Sequence, residues 1–397
     1  MADLPWLTIV GLGEDGPDGL SRASLTALSE AEVVMGPARH LALLPNLACE
    51  TVIWPVPFAN GLPVLVGLRG RKVVALASGD PFWFGAGSVI ARALEPGEWC
   101  ALPGPSTFSL AAARLGWPLE QTACLGLHAA PLSRLRPHLA DDARIIVLLR
   151  EGDAVEELGR YLTQIGFGAS DLHVMEALGG PREKHTKISA QDVDKISFSH
   201  PVCAGIMAHG ADALSLTPGR EDTFFDHDGQ ITKAPVRALT LAALAPRPVE
   251  HLWDIGGGSG SVSIEWVLSH ITLRATTIEA HPDRAARIRE NAAKLGADRV
   301  TVVEAVAPDG LDALDAPDVV FVGGGLSQAL LERLWQLPPG TRLVANAVTL
   351  ESETLLAQWQ ADKGGDLLRI ELTRAEPLGR KRGWKGAYPV VQWSVTL

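Results

Sequence analysis

Residues 254–265 read D-I-G-G-G-S-G-S-V-S-I-E: an apolar run closing on an acid, then a glycine turn, then the start of a helix. A chain that carries this segment is drawn toward strand–turn–helix units and a parallel sheet. Gly256, Gly258 and Gly260 alternate, and a backbone without Cβ can turn sharply and lie against a ligand. Glu279 closes the next apolar run, 19 residues after Gly260. An acid at the tip of the second strand of a doubly wound sheet is placed to hold a ribose diol. The dinucleotide fingerprint G-x-G-x-x-G needs glycine at position 261, where Ser261 stands. G-x-G-x-G after an acid suits S-adenosylmethionine better, a cofactor with no pyrophosphate for a helix N-terminus to hold. A nicotinamide and a plain glycine turn without a ligand are the two alternatives.

At 397 residues the chain has room for two or three domains. With 47% hydrophobic and 20% charged residues it can bury large cores. A net charge of −11 speaks against a nucleic-acid partner, which calls for a basic balance. No apolar run reaches about 18 residues, so no membrane span is expected. The first ten residues carry acid rather than base and run straight into a strand, so no signal peptide is expected. Cys49, Cys100, Cys124 and Cys203 are widely spaced with no C-x-x-C, which reads as buried small hydrophobes in a reducing cytoplasm and not as a metal site.

The pattern divides into halves, 1–212 and 213–397, parted after a loop-rich stretch at 208–228. In the first half, strands are expected at 7–10, 32–35, 72–77 and 99–102, with helices at 24–31 and 108–115 between them. A second α/β layer is expected from a strand at 144–149, a helix at 154–165, and strands near 172–177 and 202–207. In the second half, helices at 233–244, 261–268, 282–295, 328–334 and 353–362 alternate with strands at 249–255, 273–279, 300–304, 319–322 and 342–345. Two last strands, 366–373 and 389–395, suit an antiparallel edge pair. Pro282 sits in the first turn of its helix, where a missing N–H costs nothing. Both halves set glycine turns at the carboxyl ends of parallel strands, where open α/β sheets bind ligands. Two such sites of different design suggest two active centres.

The G-L-G turn at 11–13, S-G-D-P at 78–81 and P-G-P-S-T at 103–107 give the first half its resemblance to the tetrapyrrole methylase family. V-V-M-G at 33–36 and Arg39-His40-Leu41 fit the branch that methylates precorrins at C5. The second half is similar to precorrin methyltransferases that methylate C15 and decarboxylate the C12 acetate. It carries G-Q-I-T-K at 229–233, Val236-Arg237, the glycine loop, E-A-V-A-P at 304–308, V-G-G-G at 322–325 and N-A-V-T-L-E at 346–351. The resemblance implies an α/β chain: a two-lobed tetrapyrrole-methylase fold followed by a Rossmann-like (class I) S-adenosylmethionine-dependent methyltransferase fold. It implies a bifunctional C-methyltransferase of cobalamin biosynthesis acting on a reduced precorrin, with one S-adenosylmethionine site per half. A cytoplasmic homo-oligomer with no nucleic-acid or membrane partner is expected.

Methyl transfer from a sulfonium needs the nucleophile in line with the S–CH₃ bond, so positioning supplies much of the effect. An electron-rich carbon of a reduced tetrapyrrole attacks without a catalytic triad or a metal, and none is expected. The first-half candidates for the cofactor are Gly11, Gly13, Ser78, Gly79, Asp80, Ser106 and Thr107. Asp80 is also a natural Asx-turn former. Those of the second half are Thr232, Asp254, Gly256, Gly257, Gly258, Ser259, Gly260, Glu279 and Ala307. Asp254 is expected to brace the glycine loop by accepting its N–H groups, and Thr232 is equally suited to capping the next helix.

Lys233, Arg237, Arg380 and Arg382 are candidates for the substrate's carboxylates. The last two belong to Gly379-Arg-Lys-Arg-Gly-Trp-Lys-Gly386, a cationic loop in an acidic chain. Its alternative is a solvated hairpin whose cations guard a sheet edge. Two departures from relatives stand out: Glu14, where the family often has proline after the first G-x-G, and Gly257, where relatives carry Ala or Cys, expected to be neutral. The competing readings of the whole chain are a two-domain nicotinamide-dependent dehydrogenase and a non-enzymatic S-adenosylmethionine sensor.

Overall fold

The computed structural model describes residues 5–397; the first four residues of the segment expected to lack a leader lie outside the described residues. Two compact units part between Ala213 and Leu214, and the short segment Ser133–Pro137 groups with the second.

The first unit opens with five parallel strands: β1 (Leu7–Leu12), β2 (Val33–Gly36), β3 (Glu50–Ile53), β4 (Val73–Ser78) and β5 (Trp99–Leu102). Their order in the sheet is β3-β2-β4-β1-β5. The central strands are buried on both faces, as their unbroken Val, Ile, Leu and Ala runs require. β1 packs with almost no clearance at its end. A Cβ on Gly11 would lie 1.8 Å from the Gly79 carbonyl oxygen and 2.5 Å from the Gly104 nitrogen. Glycine there lets three turns meet at one sheet end.

The helix Thr107–Leu115 starts on Ser106, whose Oγ accepts the Ser109 N–H at 3.1 Å, and stops at Gly116 in a left-handed conformation. A second sheet follows: β6 (Ala123–Gly126), β7 (Arg144–Leu148), β8 (Asp171–Glu176), β9 (Lys184–Ser189) and β10 (Val202–Met207), in the order β6-β7-β10-β8-β9. Only β6 and β7 run parallel; the other pairs are antiparallel. The expected second layer is present but is a mixed sheet. β3 and β6 escape the apolar pattern because they are four residues long and only partly buried, and β9 because it is polar and largely exposed.

The second unit is one seven-stranded sheet plus a hairpin. Its strands are β11 (His251–Ile255), β12 (Arg274–Glu279), β13 (Val300–Glu304), β14 (Val319–Val322), β15 (Arg342–Ala347), β16 (Asp366–Ile370), the hairpin pair β17 (Thr373–Leu378) and β18 (Lys381–Gly386), and β19 (Val390–Thr396). The sheet order is β13-β12-β11-β14-β15-β19-β16, parallel except where β19 joins β15 and β16. Neighbouring residues of β11 serve opposite faces. Leu252 packs with Leu241, Leu244 and Trp266, while Trp253 and Ile255 pack with Leu330, Leu334 and Trp393. Both faces are thereby covered, and the order reverses between β11 and β14, the place where such sheets bind ligands. The last two strands pair as expected, with β19 internal and β16 at the edge. The cationic loop forms the turn and the second strand of the hairpin β17–β18. Among the described residues no helix is long and apolar enough to cross a membrane.

Candidate functional sites

In the second unit the turns after β11, β12 and β14 surround a cavity of about 750 Å³, within the size range of small-molecule sites. Gly256, Gly257, Gly258, Glu279, Thr232, Lys233 and Ala307 line it. Gly256 and Gly258 have φ of 75° and 58°. A Cβ on Gly256 would lie 2.6 Å from the Gly324 backbone, so the two glycine turns touch. Glu279 is only 4% exposed, and its two oxygens accept the N–H groups of Gly258 at 2.8 Å and His281 at 3.0 Å.

Bracing the glycine loop is therefore the work of Glu279 and not, as expected, of Asp254. Asp254 does not line the cavity. It is buried beneath the loop, where Oδ2 accepts the Ser263 N–H at 3.2 Å and Oδ1 has no partner among the described residues. Ser259 and Gly260 also lie away from the cavity; Ser259 is buried, and a Cβ on Gly260 would meet Ile288 at 2.6 Å. Nor is alanine a neutral exchange at Gly257, where a Cβ would come within 2.2 Å of Thr277 Cγ2.

Burial raises the Asp254 carboxyl to about 7, helped by the nearby Glu279 charge and opposed by hydrogen bonds from Ser263. Between an unfolded value of about 3.8 and that folded value, the native chain holds a proton that the unfolded chain has lost. The stabilisation is full below about pH 4 and is lost as pH rises through about 7, a change on the order of 4 kcal/mol. Asp254→Asn is expected to flatten this slope in urea unfolding between pH 4.5 and 8. An equally steep slope in the variant would assign it to other groups.

Thr232 does not cap the helix Ala234–Leu244. Lys233 is the capping residue by position but its side chain makes no capping bond and pairs with Asp222 Oδ2 at 3.5 Å, while Asp222 Oδ1 accepts the Ala234 N–H at 3.1 Å. Thr232 is left free to line the cavity, and its carbonyl accepts from Arg237. Arg237 itself is wholly buried, with its Nε on Glu265 at 2.8 Å, and has no face toward a substrate. Its removal from the carboxylate-binding set follows from that burial. Arg380 and Arg382 are likewise absent from the cavity wall; only the base of their hairpin, Gly386 to Tyr388, reaches it. Of the four expected carboxylate ligands, Lys233 alone lines the cavity. Arg284 lines it too and was not foreseen; it holds Asp228 at 2.8 Å, which fixes the turn leading to Gln230.

In the first unit a cavity of about 400 Å³ lies at the ends of β1 and β4 and reaches β7 and β10. Gly13, Ser78, Gly79, Asp80, Ser106 and Thr107 line it; Gly11 does not, being spent on the contact described above. Asp80 lines the cavity and also accepts the Phe82 N–H at 2.8 Å. Trp83 and Phe84 form an aromatic part of the wall, their rings tilted against Phe108. Glu14 is nearly buried and salt-bridged to Arg39 and to Arg182, the latter at 3.0 Å. Arg39 Nη2 lies 2.8 Å from His40 Nε2 and 3.2 Å from Ser78 Oγ. Burial, then the Arg39 charge, push the His40 imidazole down to about 3 and keep it neutral. Sequence motifs include Arg39 and His40, whereas His128, Arg150 and His200 join the wall from the second sheet with no motif to mark them.

Residues 6–194 match the family of tetrapyrrole (corrin/porphyrin) methylases, and residues 223–397 match the precorrin methyltransferase domain. The chain is 48% identical over 99% of its length to a precorrin-6Y C(5,15)-methyltransferase (decarboxylating) from Sinorhizobium sp, covering 96% of that protein. It is 40% identical over 98% of its length to the protein of the same name from Mycobacterium tuberculosis (strain CDC 1551 / Oshkosh), of which it covers 99%. A cobalt-precorrin-6B C(15)-methyltransferase (decarboxylating) from Salmonella typhimurium is 32% identical over 40% of this chain and 85% of its own.

Proposed function

We propose that this chain, which belongs to the family of decarboxylating precorrin-6Y C(5,15)-methyltransferases, divides its chemistry between its halves. Residues 1–212 methylate C5 of a reduced precorrin, and residues 213–397 methylate C15 and decarboxylate the C12 acetate, each half with its own S-adenosylmethionine. The observation that carries this reading is the presence of two separate cavities, each walled by glycine turns at the strand ends of a different sheet. The Salmonella relative supports the division, since a protein matching 40% of this chain carries C15 methylation and decarboxylation alone in its name.

The second cavity fits the cofactor on its own residues. A nearly buried acid stands at the tip of β12, and a Cβ on Gly258 would reach within 3.3 Å of the Gln230 carbonyl, filling the space between two cavity walls. When bound, S-adenosylmethionine supplies an electrophilic methyl group on a sulfonium. The residues of this chain orient and enclose. Glu279 fixes the glycine loop through the Gly258 N–H and its own turn through the His281 N–H and keeps lone pairs for a diol, while Lys233 and Arg284, paired to Asp222 and Asp228, stand at the cavity wall. Decarboxylation sends its electrons into the conjugated macrocycle, so the protein must hold the other carboxylates and favour loss of charge.

Incubation with labelled S-adenosylmethionine and the reduced precorrin should give a product with two added methyls and one CO₂ lost, read by mass spectrometry. Calorimetric titration should give a stoichiometry near two. One methyl without CO₂ loss, from an intact chain, would refute the assignment of the second half.

Glu279→Gln is expected to weaken cofactor binding in the second half by tens-fold. The amide can keep only one of the two N–H bonds and loses a charge-assisted contact of about 1.5–3 kcal/mol. Unchanged binding would make the acid purely structural.

A further inference from the structure

Glu14 occupies an unusual place in the first cavity. It is 8% exposed, and its two oxygens are divided between two guanidinium groups, Oε1 to Arg39 and Oε2 to Arg182 at 3.0 Å. The arginines come from different sheets: Arg39 from the short helix Ala38–Ala42 after β2, Arg182 from the turn between β8 and β9. That turn lies directly on the acid, since a Cβ on Gly180 would fall 2.7 Å from Glu14 Cβ. Burial and the Arg182 charge lower the Arg39 pKa, the mark of two cations pressed together around one anion. Two guanidinium groups and one carboxylate leave the cluster one positive charge in surplus, to which the neutral His40 adds nothing. Glu14, Arg39, His40 and Ser78 line the cavity; Arg182 is not on its wall and meets it through Glu14.

We propose that Arg39 and Arg182 form a subsite for a carboxylate side arm of the substrate, and that Glu14 is the resident carboxylate that competes with that arm. The proposal rests on the reading that the first half takes a polycarboxylated tetrapyrrole. A guanidinium fork matches a carboxylate bidentately, whoever supplies it. An entering arm brings the cluster to two cations and two anions. Glu14 then keeps one arginine and yields the other, and no buried charge is left unpaired. Before substrate arrives, the same acid prevents the two arginines from repelling one another at the edge of the cavity. Arg182, 60% exposed, is the partner with room to turn from the acid to the arm.

The test uses the full chain and two readouts. One is the KM for the reduced precorrin in methyl transfer from labelled S-adenosylmethionine. The other is equilibrium binding of uroporphyrin III, a macrocycle with acetate and propionate arms, followed by fluorescence quenching. Glu14→Gln should lower both the KM and the uroporphyrin Kd severalfold, because the internal competitor has lost its charge. Arg39→Gln and Arg182→Gln should each raise both by about tenfold, with the KM for S-adenosylmethionine within twofold of the parent. Glu14→Gln that leaves uroporphyrin binding unchanged or weaker, in a chain that melts as the parent does, overturns the proposal. Should that variant fail to fold, Glu14→Asp, too short to hold both arginines, should also tighten uroporphyrin binding, and unchanged or weaker binding by it overturns the proposal equally. Failure of the functional reading looks different: the parent chain would then methylate no precorrin, while the uroporphyrin series would still decide whether the subsite exists.

Discussion

Gly258→Val is expected to abolish cofactor binding in the second half and to leave the first half competent. Its product should keep the C12 acetate and gain at most one methyl, and calorimetry should show a stoichiometry falling from two toward one. Gly258 has φ of 58°, a region that costs an L residue about 1–2 kcal/mol and a β-branched one more. Its N–H is one of the two bonds that fix Glu279, and twisting the loop out of that conformation forfeits a charge-assisted bond of about 1.5–3 kcal/mol. The valine methyls would extend beyond a Cβ already 3.3 Å from the Gln230 carbonyl, into the cavity itself. Together these terms weaken binding by about a hundredfold or more. A variant that still adds two methyls would rule out the proposed division of labour.

The glycine loop was legible in the sequence because its constraint is local. Positive φ, a strand ending in an acid and a helix start lie within a dozen residues, and only one kind of sheet accommodates them. Glu279 was legible for the same reason, since the interval from loop to acid is the length of one helix and one strand. Glu279, and not Asp254, braces the loop because side-chain direction at a strand end depends on pleat, which spacing does not reveal. Asp254 points beneath the loop to Ser263, and Glu279 points at Gly258.

The cationic hairpin misled for a different reason. Charge density shows where cations lie along the chain, but only the antiparallel register of β17 and β18 carries Arg380 and Arg382 off the cavity wall while Gly386 stays at it. The first cavity was half legible. Its β1 and β4 turns carry motifs, whereas His128, Arg150 and His200 lie in the connections flanking β6, β7 and β10, which carry no motif even where the strands themselves are apolar runs. Glu14 was visible only as a departure from a family pattern. Its meaning appears once Arg182, 168 residues away, is brought to it.

Arg237 is the clearest case of a residue whose sequence context suggests a ligand and whose surroundings assign it to the fold, and its replacement should therefore act on stability. Its guanidinium is fully buried. Nε donates to Glu265 at 2.8 Å, Nη1 to Asp222 at 3.2 Å and to the Thr232 carbonyl, and Nη2 to the Arg220 carbonyl, with the Phe225 ring 4.8 Å away. Glu265, equally buried, also takes the N–H groups of Gly219 at 2.7 Å and Arg220 at 3.0 Å. The ion pairs of Arg237 with Glu265 and Asp222, and of Glu265 with Arg220, thus tie the irregular segment 219–233, which ends in the cavity residues Gln230 to Lys233, to two helices. Arg237→Met leaves Glu265 only its longer pair to the Arg220 guanidinium at 3.8 Å, which costs up to about 3–5 kcal/mol. Urea unfolding should show that loss, and the KM for S-adenosylmethionine should rise in the second half as Thr232 loses its anchor. Arg237→Lys should recover part of the stability and little of the alignment, because an ammonium cannot serve four acceptors in one plane. Glu265→Gln added to Arg237→Met should destabilise less than the sum of the two, since the uncompensated charge is then gone. If Arg237→Met instead unfolds as the parent does and raises only the KM for the precorrin, the arginine is a substrate clamp after all, and the buried network is not what holds the cavity wall.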